Sequence, residues 1–125
     1  MYKRLLFILS LFALISISVQ CWNQISAGTE HSAGIKADGT LYTWGNNQGG
    51  QLGSGNLLNN ANIKQVGTAS DWVIVSASFA HTVALKTDGT IWSWGTANGQ
   101  VTSFSSTLLN PTQIGTSSDW VYVNN

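Results

Sequence analysis

Residues 22–45 read WNQISAGTEHSAGIKADGTLYTWG, and residues 72–95 read WVIVSASFAHTVALKTDGTIWSWG. Aligned without a gap, the two stretches agree at ten of 24 positions: Trp, Ser, Ala, His, Lys, Asp, Gly, Thr, Trp and Gly. Other positions exchange like for like, Ile35 for Leu85 and Leu41 for Ile91. Trp22 returns as Trp72 and again as Trp120, at spacings of 50 and 48 residues. Ser70-Asp71-Trp72 returns as Ser118-Asp119-Trp120, each preceded by a Gly-Thr pair, Gly67-Thr68 and Gly115-Thr116. A period near 50 belongs to a solenoid, a propeller or a tandem array.

The strand pattern within one period decides among these. Short β-branched and aromatic runs alternate with Gly, Asn, Ser and Thr, which reads as strands joined by turns. The first repeat predicts strands at Trp22–Ala27, His31–Lys36, Thr40–Trp44 and Asn62–Val66. The second predicts Trp72–Ala77, His81–Lys86, Thr90–Trp94 and Thr112–Ile114. Asp38-Gly39 and Asp88-Gly89 are tight-turn pairs, expected to supply the positive φ angles of a hairpin. Side chains two apart share a face, so Tyr42 with Trp44, and Trp92 with Trp94, form one aromatic pair per repeat. Four short antiparallel strands per repeat make a β-propeller blade. The expectation is an all-β partial propeller of about two blades: residues 22–71, residues 72–119, and a third repeat opening at 120–125.

Met1–Gln20 has the anatomy of a secretory signal: Lys3 and Arg4, then apolar Leu5–Ile15, then Ser16, Ser18 and Gln20. The apolar run is shorter than the ~20 residues that span a bilayer, so no membrane span is expected in the mature chain. Residues beyond 20 carry three lysines, Lys36, Lys64 and Lys86, against five carboxylates, a net −2. That balance, with no basic cluster, argues against nucleic-acid binding, which relies on phosphate neutralisation. Cys21 is the sole cysteine, so no intrachain disulfide can form. Its position invites comparison with a bacterial lipid-attachment box of the Leu-Ala-Gly-Cys type, but Gln20 fits that pattern poorly and a plain free thiol is the reading preferred. Asn110-Pro111-Thr112 carries the proline that forbids N-glycosylation.

The repeats resemble those of the regulator of chromosome condensation family. The resemblance rests on Ile25-Ser26-Ala27-Gly28-Thr29-Glu30-His31-Ser32-Ala33-Gly34-Ile35 and on Val75–Leu85, which departs once, at Ser78. It rests also on the Asp-Gly-Thr turns, the Trp-Gly steps and Gly50-Gln51-Leu52-Gly53; that loop decays to Gly99-Gln100-Val101-Thr102 in the second copy. The resemblance implies a propeller, usually of seven blades, needing about 350 residues. The expectation that follows is the N-terminal piece of a longer, secreted bacterial protein, whose blade faces need further repeats or self-association to cover them. The family offers exchange-factor activity on a small GTPase as one function. A secreted inhibitor of enzymes and an accessory domain of an extracellular enzyme are others. The signal segment and the missing basic patch favour a non-catalytic scaffold, secreted or at the cell surface, whose partner is a protein or a surface glycan.

His31 and His81, the only histidines, occupy one repeat position, the mark of a framework role in which a ring nitrogen bonds blade backbone. Metal binding would need Cys, His or carboxylate partners at ligand spacing, which the sequence does not offer. Asp38 and Asp88 are accounted for by their turns, and no carboxylate pair stands out for glycosidase chemistry. The repeat framework is thus Trp22, Gly28, His31, Asp38, Gly39, Trp44 and Gly45, then Trp72, His81, Asp88, Gly89, Trp94 and Gly95, and finally Trp120. Catalytic, cofactor and metal residues are not expected, and the chain reads as a non-enzyme. The loops 46–61 and 96–110 differ between repeats while the strands match. Propellers bind through such loops. Candidate partner-binding residues are therefore Asn46, Asn47, Asn56, Leu57 and Leu58 in the first loop, and Asn98, Phe104, Leu108 and Leu109 in the second.

Overall fold

The computed structural model describes residues 21–96 and 106–123; the signal segment expected at 1–20 lies outside the described residues. The architecture is all-β, as the repeat pattern predicts. Strands β1 (Trp22–Ala27), β2 (His31–Lys36), β3 (Leu41–Gly45) and β4 (Asn60–Gln65) form one four-stranded sheet. Strands β5 (Trp72–Ala77), β6 (His81–Lys86), β7 (Ile91–Thr96) and β8 (Thr107–Gln113) form a second. Each sheet is an antiparallel meander in chain order, the form of a propeller blade.

The registers of the two blades repeat residue for residue. His31 faces Gly45 as His81 faces Gly95, and a shift between Trp22 and Gln24 recurs between Trp72 and Ile74. Strand limits differ from the sequence expectation at four places. Thr40 belongs to a turn, since Lys36 N–H donates to its carbonyl at 3.0 Å, and the strand runs on through the Trp-Gly step to Gly45. The same holds for Thr90 and Gly95, with β7 continuing to Thr96. Strand β4 begins at Asn60, which pairs with Gly45 across a register shift. Strand β8 begins at Thr107 rather than Thr112, because Thr107 and Leu108 pair with Thr96 and Gly95 beyond another shift. Pro111 falls in that irregular stretch of an outer strand, where a missing N–H is tolerated.

The hairpin turns also differ from expectation. Only Gly39 and Gly89 take positive φ (81° and 79°); neither Asp38 nor Asp88 does. The aspartates work through their side chains instead. Asp38 Oδ1 accepts from Thr40 N–H at 3.0 Å and from the Thr40 hydroxyl at 2.5 Å. Asp88 repeats this with Thr90 at 2.9 and 2.6 Å. The Thr hydroxyl, then the Thr amide, hold both carboxyls below the usual carboxylate range.

The blades stack face on face. Ala33, Ile35, Leu41 and Val66 of the first blade pack against Trp72, Val75, Ala84 and Trp94 of the second. A smaller cluster, Val83, Leu85 and Ile91, lies on the far face of the second blade and receives Val123. The turn at Gly39 ties the chain into the next blade, since Trp72 N–H donates to the Gly39 carbonyl at 3.1 Å. A Cβ at Gly39 would run into the Ser70 carbonyl, whereas Gly67, at φ +61°, has nothing within 4 Å. Gly67→Ala should therefore cost only the left-handed backbone penalty, about 1 kcal/mol. Gly39→Ala should cost that and at least ~2 kcal/mol more by displacing the inter-blade link, read as a larger drop in urea midpoint.

Candidate binding surface

The loop after β3 does two jobs, and its sequence divides accordingly. Its inner half, Gly50-Gln51-Leu52-Gly53, reaches across to the second blade. The Gln51 carbonyl accepts the Trp94 indole N–H at 2.9 Å and the Thr82 hydroxyl at 2.8 Å. The Thr82 oxygen in turn lies 2.8 Å from His31 Nε2. A hydroxyl has one proton, and Thr82 spends it on Gln51, so His31 Nε2 must be the donor. A Cβ at Gly53 would stand 2.8 Å from Trp94 Nε1, so glycine there lets the loop close on the indole. Gly49 O also accepts from the Thr96 hydroxyl at 3.1 Å. His31 thus bonds a side chain of the neighbouring blade, where the sequence reading expected blade backbone. Gly28 admits the Ser78 carbonyl beside it and leaves room for the His31 ring.

His31 is 3% exposed, and its Nδ1 has no hydrogen-bond partner among the described residues. Protonating the ring would put an unpaired N–H and a charge in the seam. Burial first, and then the charge of nearby His81, push its pKa down to about 4.

The tryptophans and their lysines form one box per blade. Trp22 meets Tyr42 and Trp44 with ring centroids 5.6 and 5.9 Å apart, and Trp72 meets Trp92 and Trp94 at 5.9 and 6.1 Å. Lys36 lies 4.2 Å over the Tyr42 ring, and Lys86 lies 4.7 Å over both Trp72 and Trp92. The ring faces attract the ammonium groups. Lys86 also reaches Asp71 at 3.2 Å. Trp44 is half-buried, while its counterpart Trp94 is fully buried under the first blade.

The outer half of the loop is the candidate surface. Asn47 is fully buried and organises it. Its amide donates to the Asn56 carbonyl at 2.8 Å and the Ser54 hydroxyl at 3.1 Å, and its Oδ1 accepts from Leu52 N–H at 2.9 Å. Its backbone N–H donates to Asn59 Oδ1 at 2.8 Å. Asn56 Oδ1 accepts from Leu58 N–H at 2.9 Å, and Asn46 Oδ1 from Gln48 N–H at 2.9 Å. On this braced segment Leu57 and Leu58 are 51% and 73% exposed. Beside it lies a cleft of about 470 Å³ whose walls include Thr43, Asn56, Lys64, Gln65 and Asn110.

The candidate residues therefore separate. Asn56, Leu57 and Leu58 are exposed together, whereas Asn47 is a buried brace and cannot touch a partner. Asn46 is half-buried and braces the same loop. Leu108 and Leu109 belong to β8 rather than a loop. Leu108 packs on the core, and the Leu109 carbonyl accepts from Gly55 N–H at 2.9 Å. Asn98 and Phe104 lie outside the described residues. Gln51, Thr82, Lys36 and Lys86 were missed as framework residues. The lysines had a signal, since Lys is one of the ten identities between the repeats. Cys21 is exposed with a free thiol. Among the described residues no group of three or more Cys, His, Asp or Glu could hold a metal ion, and no helix is long and apolar enough to cross a membrane.

Two outcomes follow. Asn47→Ala should destabilise the chain by about 1–3 kcal/mol, because it strands buried partners, and should speed amide exchange at Leu52 relative to β2. Unfolded histidine binds a proton near pH 6.5, while folded His31 binds one only near pH 4. The His31 contribution to stability should accordingly be lost as pH drops from about 6.5 to about 4, with the depressed Asp38 and Asp88 carboxyls continuing the decline at lower pH. His31→Gln should flatten that part of the urea-midpoint profile.

Comparison with known proteins agrees with this geometry. The model of the regulator of chromosome condensation (RCC1) repeat matches residues 19–51 and 72–105, and a second model of the same repeat matches 38–85. The ultraviolet-B receptor UVR8 of Arabidopsis thaliana is 46% identical over 44 residues, which are 35% of this chain and 10% of the receptor. The crystal structure of human WBSCR16 superposes at a TM-score of 0.67 with 22% identity, covering 77% of this chain and 26% of that one. Yeast RCC1 (Prp20), solved bound to Kap60, superposes at 0.66 with 23% identity, covering 79% of this chain and 26% of that one. A structure of Prp20p from Saccharomyces cerevisiae, described with its binding to Gsp1p and histones, superposes at 0.65. This chain spans about a quarter of each solved relative's length and a tenth of the plant receptor's. With two blades built on one register and repeat models matching across both, the chain belongs to the RCC1 repeat family.

Proposed function

We propose that the chain acts as a non-catalytic, protein-binding propeller, exported through residues 1–20 and working outside the cell or at its surface. The observation that carries the binding surface is the pair Leu57 and Leu58, exposed at 51% and 73% on a loop held from within by buried Asn47. Exposed leucines on a flexible loop would be ordinary. Held in place, they offer apolar contact area whose ordering cost has already been met in folding, the usual basis of a preorganised binding site. The amides of Asn56, Gln65 and Asn110 and the ammonium of Lys64 surround them with polar groups suited to an interface rim.

A protein partner is favoured over a glycan because, among the described residues, the walls of the cleft beside the loop carry no aromatic side chain on which a sugar ring could stack. The solved yeast relatives are described with protein partners, Kap60, Gsp1p and histones, which supports the same class here. His31 is engaged in the seam and Asp38 and Asp88 in their turns, which supports a scaffold role over chemistry.

The Leu57→Ser/Leu58→Ser double variant tests the surface. Its urea midpoint should move by no more than about 0.5 kcal/mol equivalent, while a partner cross-linked from culture medium or cell surface by the parent chain should be lost at least about tenfold. Partner capture indifferent to these two residues would overturn the assignment. For export, the mass of protein recovered from the medium should correspond to a chain beginning at Cys21. Retention inside the cell with residues 1–20 still attached would contradict it.

A further inference from the structure

The cleft beside the loop after β3 has a charge pattern that the exposed leucines do not explain. Its walls come from both blades: the loop and β4 on one side, Asn110 of β8 on the other. Gly55 N–H donates to the Leu109 carbonyl at 2.9 Å, which fixes the two walls to each other. The cleft is formed wholly within the joint between the two blades. Its volume of about 470 Å³ falls in the range of ligand clefts, roughly 300–1,000 Å³.

Lys64 sets the sign of this recess. It pairs with Thr43 across β3 and β4, and Val66, two residues on, is buried against the second blade, so Lys64 lies on the face turned to that blade. Of the three lysines beyond residue 20, Lys36 and Lys86 lie over aromatic rings, whereas Lys64 has no ion pair or ring contact among the described residues. The described walls carry no Asp or Glu. The amides add to the same polarity. The side-chain oxygens of Asn56, Asn59 and Asn60 already accept from the backbone N–H groups of Leu58, Asn47 and Asn62 at 2.9, 2.8 and 3.0 Å. Their NH2 groups are left as the unbonded ends, and an amide NH2 only donates. A chain that is acidic beyond residue 20 thus keeps its one uncommitted lysine in a recess rich in donors.

We propose that this cleft receives an acidic side chain of the protein partner, an Asp or Glu flanked by apolar residues, with its carboxylate on the Lys64 ammonium. The inference rests on the reading of Leu57 and Leu58 as a protein-binding surface, because Leu58 is itself in the wall and the apolar flank would lie on it. A carboxylate set against an ammonium must also have its remaining lone pairs satisfied, or desolvation outweighs the attraction. The amide N–H groups of the walls meet that need. The ion pair adds selectivity to the apolar contact. Leucines accept any apolar surface, while the lysine rejects one that presents a cation at the same place.

An array of short random peptides, acetylated and amidated so that only side chains carry charge, is the probe, and the full chain is applied to it. The peptides bound should be enriched in Asp and Glu beside apolar residues. Lys64→Gln should weaken binding to the best of them by about tenfold. Lys64→Arg should keep it within about threefold, and Lys64→Glu should turn the selection toward peptides carrying Lys or Arg. Lys64 is exposed, so all three variants should keep the parent's urea midpoint. Four results would each overturn the proposal: no peptide bound, no acidic preference, an acidic preference unchanged by both Lys64→Gln and Lys64→Glu, or Lys64-dependent binding of a sulfated glycan and of no peptide. The leucine surface is judged separately on the same array. Peptides lost in the Leu57→Ser/Leu58→Ser variant but indifferent to Lys64 would leave that surface standing and remove the role of the cleft. Peptides that depend on Lys64 but not on the leucines would sink the leucine surface alone.

Discussion

The structure turns on a single carbonyl. Gln51 O accepts two hydrogen bonds, from Trp94 and from Thr82, and through Thr82 it is joined to His31. Three segments distant in sequence, β2, the loop after β3 and the second blade, are fixed to one another at that atom. Apolar packing between the blades is non-directional. Hydrogen bonds in a dry seam are not, because a displaced donor or acceptor stays unsatisfied. The aliphatic contacts hold the blades together, and the Gln51 relay sets their register.

The relay also explains why a titratable residue lies in a seam. Histidine here is used neutral, with its proton on Nε2 directed at Thr82. A hydroxyl-bearing side chain could bridge the same gap in only some rotamers, whereas the flat ring spans it and fills the space that Gly28 leaves. The consequence is that burial holds the ring uncharged far below its ordinary range. Such a shift can mark a catalytic group, but here the ring's partner is structural, and the shift is a by-product of packing.

Much of this was legible in the sequence, because a repeat reports its own constraints. Two copies of one register made the eight strands and the aromatic pairs readable, and β1, β2, β5 and β6 fall where the spacing put them. What was not legible depends on contacts between segments far apart in sequence. Gln51 acts through its backbone carbonyl, which every residue carries, so residue type gave no clue. Asn47 reads as loop surface from its place in a segment that differs between repeats; in the structure its side chain is buried and bonded to neighbours within the same loop. Leu108 and Leu109 fall within the variable loop read at 96–110, ahead of the strand expected at Thr112. A register shift on an outer strand carries β8 back past Pro111 to Thr107.

The division of the loop after β3 bears on how a scaffold of this kind acquires a function. Its inner half is committed: the Asn47 and Gln51 side chains hold backbone groups of the loop, and any side chain at Gly53 would collide with Trp94. Ser54 to Asn59 are exposed, and Leu57 and Leu58 contribute nothing to the seam. Substitutions there should cost little stability, and a fold does not dictate what its loops recognise. The part free to change is therefore mounted directly on the part least free to change. A new specificity can be tried on the outer half without loosening the blades, and the rigidity of the inner half lets a few exposed side chains discriminate between partners.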